Sequence, residues 1–130
     1  MAARRILLID DEPDLLAALA LRLTAAGFQC ETANGSYEGL EKAQADPPDL
    51  IMTDLSMPGM DGYELCRRLK ADPQTAAVPI IMLTASIPEN EIASQAQELG
   101  IERLLYKMVE SKELISTVRE VFTTMEGPNP

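Results

Sequence analysis

At 130 residues the chain is long enough for one domain that buries about two-thirds of its unfolded surface, and 46% hydrophobic with 25% charged residues is a globular composition. A formal net charge of −10 argues against direct nucleic-acid binding, because phosphate backbones repel such a surface, and no apolar stretch approaches the ~20 residues that span a bilayer. The chain has no histidine, which excludes an imidazole base, histidine-ligated zinc and an internal phosphohistidine relay.

The first element is the apolar run Ile6 to Ile9, which stops at Asp10 and Asp11. Runs this short, rich in Ile and Leu and bounded by turn residues, read as strands buried on both faces. A first helix follows: Pro13 suits an opening turn, Leu15, Leu16, Leu19 and Leu23 repeat along one face, and Gly27 is a stop. A strand is expected near Gln29 to Ala33, a turn at Asn34 and Gly35, and a second helix from about Ser36 to Ala45, around which Tyr37, Leu40 and Ala43 or Gln44 are distributed. Pro47 and Pro48 end it. Leu50 to Thr53 is the third strand and stops at Asp54; Asp61 opens a third helix to about Lys70, closed by Asp72 and Pro73.

Ile80 to Leu83 is the fourth strand, ending at Thr84, and a fourth helix is expected from about Glu89 to Leu99 with Ile92, Ala93, Ala96 and Leu99 on one side. Leu104 to Tyr106 is the last strand, followed by Lys107. Leu114, Ile115, Val118, Val121, Phe122 and Met125 mark the last helix, with Ser111 as its cap. The domain is expected over residues 1–126, with 127–130 a flexible tail or the start of a linker. Cys30 and Cys66 lie far apart without a CxxC pattern and read as small buried or half-buried thiols in a reducing compartment. Met1 to Arg5 lacks the apolar region of a signal peptide, so a cytoplasmic protein is expected.

Five strands alternating with five helices predict an α/β fold with a doubly wound parallel sheet. Ligands bind such sheets outside the carboxyl ends of the strands, where Asp10, Asp11, Asp54, Thr84 and Lys107 would converge. Three neighbouring carboxylates repel one another unless one is protonated or a cation sits among them. Oxygen-only ligands suit Mg²⁺, with Mn²⁺ possible, and Mg²⁺ prefers one or two carboxylates plus a phosphate oxygen. Lys107 would then neutralise phosphate charge, Thr84 would donate a hydrogen bond to it, and a carboxylate would be the nucleophile that forms an acyl phosphate. Singly, Asp10 and Asp11 read equally as acids of a helix start, Thr84 as a strand end and Lys107 as a surface lysine. The joint pattern carries the functional reading.

The strings Ile6-Leu7-Leu8-Ile9-Asp10-Asp11-Glu12-Pro13 and Asp54-Leu55-Ser56-Met57-Pro58-Gly59-Met60-Asp61-Gly62, with Thr84-Ala85-Ser86 and Lys107, resemble the receiver domain of two-component response regulators, of the single-domain, chemotaxis-regulator kind. The resemblance implies a flavodoxin-like sheet of order 2-1-3-4-5. It makes Asp54 the phosphoacceptor and Asp11 the main metal ligand, with Asp10 acting through water and Ser56 supplying a backbone carbonyl. The N–H groups of Ser56 and Ala85, with Thr84 and Lys107, would hold the phosphoryl oxygens. It further implies a histidine kinase or phosphotransfer protein as donor, self-assisted phosphorylation and dephosphorylation rather than enzymatic turnover, and an output protein read by the face of the fourth helix, fifth strand and fifth helix. Two other readings are a receiver fragment of a larger regulator with an output domain and an interaction module that works without phosphorylation. A small-molecule phosphatase using an aspartyl nucleophile is a third, which lacks a second general acid at a DxD spacing after the first strand.

Two positions depart from the family pattern. Leu104 stands where receivers usually carry Tyr or Phe, and Tyr106, two residues on, faces the same side of an extended strand. Met108 stands where the family usually has a proline joined to the lysine by a cis bond. Since a cis bond before a non-proline residue costs about 3 kcal/mol, a trans bond and a differently shaped loop are expected there.

Overall fold

The computed structural model describes residues 3–85 and 90–126, and of these the side chains of all but 90–93, 125 and 126. Its elements are β1 (Arg5–Asp10), α1 (Pro13–Ala25), β2 (Gln29–Asn34), α2 (Ser36–Ala45), β3 (Leu50–Asp54), α3 (Gly62–Ala71), β4 (Ile80–Thr84), α4 (Asn90–Glu98), β5 (Arg103–Tyr106) and α5 (Ser111–Glu126). The strands form one parallel sheet in the order β2-β1-β3-β4-β5, the order the resemblance implied. Glu89, Ser86 and the expected tail at 127–130 lie outside the described residues. No helix among the described residues is long and apolar enough to cross a membrane.

The continuous apolar runs become central strands because each successive side chain enters a different core. Ile6, Leu8, Leu50, Met52, Ile81 and Leu83 point to the face covered by Leu16, Leu19 and Leu23 of α1 and by Leu114, Val118, Val121 and Phe122 of α5. Leu7, Ile9, Ile51, Ile80 and Met82 point to the other, where Ala43 of α2 and Leu65, Cys66 and Leu69 of α3 close over them. Edge strand β2 alternates instead, with Gln29 and Glu31 exposed and Ala33 buried. Cys30 is half-buried and Cys66 buried, both as free thiols; burial pushes the Cys66 thiol up to about 12.

Helix ends follow local chemistry. Pro13 stands in the first turn of α1, and Gly27, at φ 102°, lets Phe28 N–H reach the Leu23 carbonyl and its own N–H reach that of Thr24, a Schellman stop. Asp61 caps α3, accepting from the Glu64 N–H at 2.9 Å. The expected cap at Ser111 is displaced by one residue. Ser111 is the first residue of α5, and its hydroxyl accepts from Arg22 Nε at 2.8 Å, so a tertiary contact uses the oxygen assigned to the cap.

The start of α3 fixes the end of β3. Gly62 is buried, its N–H donates to the Leu55 carbonyl at 2.8 Å, and a β-carbon on it would overlap the Asp54 carbonyl oxygen and lie 2.9 Å from Leu55 Cα. These obstacles are backbone atoms, which cannot rotate away. Gly62→Ala is therefore expected to destabilise the fold by about 1–3 kcal/mol, measured by urea unfolding. Unchanged stability would show that the β3–α3 turn yields freely.

Candidate functional site

Parallel register places the strand ends on one edge: Ile9 lies opposite Thr53, Asp54 opposite Leu83 and Thr84 opposite Tyr106. Asp10 and Asp54 thus finish two adjacent central strands, at 1% and 3% exposure, with Thr84 at 1% on the next strand. Lys107 follows β5, its backbone N–H donating to the Thr84 carbonyl at 2.7 Å. From there its Nζ reaches Asp54 Oδ2 at 3.0 Å, Asp10 Oδ2 at 3.3 Å and Glu12 Oε1 at 3.4 Å. One ammonium stands against three carboxylates.

The electrostatics reflect that imbalance. Asp10 Oδ1 accepts from the Glu12 N–H at 3.0 Å, whereas its buried Oδ2 faces the Lys107 ammonium at 3.3 Å. Burial first, and then the charge of Asp54, push the Asp10 carboxyl from its ordinary 3.8 up to about 6, against the pull of the Glu12 N–H and of Lys107. Burial works to lower Lys107, but its hydrogen bond to Asp54 and the charges of both aspartates outweigh that and hold the ammonium above its usual range.

Asp11 is exposed at the mouth of the site. Asp10, Asp11 and Glu12 each offer a carboxylate oxygen, all within 4.8 Å of one another. An all-oxygen, strongly anionic set that one ammonium offsets only in part fits a hard divalent cation. Of the metal candidates read from the sequence, the structure groups Asp10 and Asp11, pairs Asp54 with Lys107, and leaves Ser56 exposed two residues beyond Asp54. Glu12 was missed. Its signal is the third consecutive acid after the strand, which reads equally as a first-turn charge on α1.

The loop from Asp54 to α3 is tied at several points. Leu55 N–H donates to the Leu83 carbonyl at 3.0 Å, Ser36 Oγ–H donates to the Met60 carbonyl, and Met57 and Met60 are buried, as packing around a Pro-Gly turn requires. Ser36 was also missed, because a serine opening a helix carries no sign of the loop it reaches. Beyond β4, Ala85 is exposed. After β5 the backbone turns through a Val109 N–H to Tyr106 carbonyl bond at 3.0 Å, and no peptide bond among the described residues is cis, the one after Lys107 included. Leu104 is half-buried against the α2–α3 side, whereas Tyr106 is 37% exposed.

The family model described as response regulator receiver domain matches residues 6–119. The phosphate regulon transcriptional regulatory protein PhoB of Pseudomonas aeruginosa is 36% identical over 121 residues, which is 93% of this chain and 52% of that protein. Protein PilH of the same organism is 31% identical over 117 residues, covering 90% of this chain and 96% of PilH. The chain thus spans about half the length of PhoB, 26% of the response regulator PleD of Caulobacter vibrioides and nearly all of PilH. Among solved structures, the chemotaxis protein CheY4 of Vibrio cholerae superposes with a TM-score of 0.87 at 30% identity, covering 92% of this chain and 99% of that one.

The raised Asp10 carboxyl has a defined sign in the metal-free protein. The unfolded carboxylate ionises near 3.8 and the folded one near 6, so the folded state holds the extra proton between them and stability falls as pH rises through that window. The cost is absent below it and full above it. In chelator, Asp10→Asn is expected to be more stable than wild type by roughly 1–3 kcal/mol at about pH 7.5, the gap closing toward about pH 4. Urea unfolding at both pH values checks it; a pH-independent gap would place the cause elsewhere.

Proposed function

This chain belongs to the response regulator receiver domain family of two-component signalling, and on that premise we propose that Asp54 takes a phosphoryl group from the phosphohistidine of a histidine kinase or phosphotransfer protein. The observation that carries the reading is a nearly buried carboxylate ending β3, held at 3.0 Å by a half-buried ammonium, beside a group of three acids. A buried acid at the end of an otherwise buried strand is costly, and this one is compensated by a cation suited to phosphate oxygens.

In the proposed reaction an Asp54 carboxylate oxygen forms a bond to phosphorus while the donor's nitrogen–phosphorus bond breaks, its electron pair returning to the imidazole. Lys107 leaves part of its pairing with Asp54 to meet the incoming phosphoryl charge. Thr84 would donate its hydroxyl, and Ser56 and Ala85 their N–H groups, to the phosphoryl oxygens, which fixes the product before hydrolysis. Asp11 and Asp10, with Glu12 beside them and the Ser56 carbonyl, would hold Mg²⁺ or Mn²⁺. When bound, the ion supplies positive charge that offsets the carboxylates and the transferred group. The domain assists its own phosphorylation and dephosphorylation, and the receiver unit is assigned to residues 1–126, with 127–130 a tail or linker start.

The output surface is assigned to the α4–β5–α5 face, where Tyr106 is exposed. With Leu104 in the strand there is no ring at that position to rotate, so Tyr106 serves as contact surface rather than as the relay from Thr84. A phosphorylation-independent module would keep the fold and leave Asp54 inert.

Incubation with acetyl phosphate and Mg²⁺ is expected to add one phosphoryl group to the wild-type chain and none to Asp54→Asn, read by intact mass at neutral pH. The same modification on the Asn variant would move the acceptor elsewhere. Tyr106→Ala is expected to take up the group within about twofold of the wild-type rate, because its ring lies outside the charge cluster. A loss approaching that of Asp54→Asn would give Tyr106 a role in the chemistry.

A further inference from the structure

Lys107 depends on a short segment with little to hold it. Between β5 and α5 lie Lys107, Met108, Val109 and Glu110; Met108 is 75% exposed, Glu110 is exposed and Val109 is half-buried. A lysine carries its charge on four flexible carbons, so aiming Nζ at two buried carboxylates requires a fixed backbone beneath it. The Lys107 and Val109 N–H bonds fix the front of the segment. Its far side is held from another element: Arg22, in the last turn of α1, donates from Nη2 to the Val109 carbonyl at 2.9 Å and from Nε to Ser111 Oγ at 2.8 Å. A cation at a helix C-terminus is ordinarily explained by that helix's own carbonyls. This guanidinium instead crosses 87 residues of sequence and grips both sides of Glu110, where the loop becomes α5.

We infer that Arg22 is a positioning residue for Lys107, acting through the loop that carries it. The inference rests on reading Lys107 as the phosphoryl-binding cation. The fork geometry makes the role specific, because two parallel donors meet two acceptors two residues apart and an ammonium cannot reproduce that.

The test uses trace acetylation with acetic anhydride in metal-free buffer, read lysine by lysine by mass spectrometry; the chain's lysines are Lys42, Lys70, Lys107 and Lys112. Arg22→Ala is expected to raise labelling of Lys107 about threefold or more relative to the other three, as Nζ loses its place between Asp10 and Asp54. Arg22→Lys should behave like Arg22→Ala. Unchanged Lys107 labelling, or a rise shared equally by Lys42 and Lys70, overturns the inference. Should Arg22→Ala fail to fold, Ser111→Ala removes one acceptor alone and carries the same expectation at smaller size. A second arm follows phosphorylation by acetyl phosphate with Mg²⁺: Arg22→Ala is expected to slow it about tenfold in the wild-type background and not in Lys107→Ala. An equal slowing in both backgrounds overturns the inference. Absence of phosphorylation in the wild type overturns the proposed function instead, and the labelling arm then decides the role of Arg22 alone.

Discussion

The balance of charge around one ammonium governs this molecule. Two aspartates complete adjacent strands of a parallel sheet, and parallel register leaves no freedom to move either carboxylate to solvent, since slipping a strand by one residue would turn its apolar side chains inside out. Burial of both acids is therefore a consequence of the core that Ile6 to Ile9 and Leu50 to Thr53 build. Lys107 offsets part of the charge from the loop just after β5, a strand two positions from β3 and three from β1 in the sheet. Asp10, buried beside Asp54 with its carboxyl pushed up to about 6, carries what remains. The site is held in tension by the same packing that holds the fold together.

The arrangement separates charge across the edge of the sheet. Asp10, Asp11 and Glu12 crowd negative charge at one side, while Lys107 presents positive charge at the other. Under the proposed function a divalent ion would relieve the first and a phosphoryl group would engage the second. The backbone supports are equally plain: Gly62 presses the start of α3 against the Asp54 carbonyl, and Ser36 secures the loop between them.

Much of this was legible in the residues, and for physical reasons. The Ile- and Leu-rich runs of β1, β3 and β4 are strands buried on both sides as read, whereas Leu104 to Tyr106 forms an edge strand with Tyr106 exposed; Pro13, Gly27 and Asp61 act where their chemistry demands. Asp10, Asp54, Thr84 and Lys107 were accessible because each stands directly after such a run. What escaped were groups whose partners are far off in sequence. Ser111 looked like a helix cap until Arg22 claimed its hydroxyl across 89 residues; Ser36 reaches a carbonyl 24 residues on; Glu12 differs from its neighbours only in where the chain turns. The unequal burial of Asp10 and Asp11 was also invisible, because adjacent residues on leaving a strand diverge, one into the interior and one into water. Crowding falls on the first member of the pair.

The two faces of the sheet are packed from different materials. On the α1–α5 side the helices contribute Leu, Val and Phe122, whose ring lies 5.7 Å from that of Phe28 and under the Arg4 guanidinium. On the other side Met57 and Met60 of the loop that leaves Asp54 share a core with Met82 and Cys66, among branched side chains such as Leu7, Ile9, Ile51 and Leu65. Thioethers are unbranched and polarisable and refill a changing space at little cost, whereas branched and aromatic side chains interlock in one arrangement. Side chains that repack readily are thus concentrated next to the loop that leaves Asp54. Under the proposed function a change of charge at Asp54 would meet these adaptable thioethers before it met the interlocked Leu, Val and Phe of the opposite face.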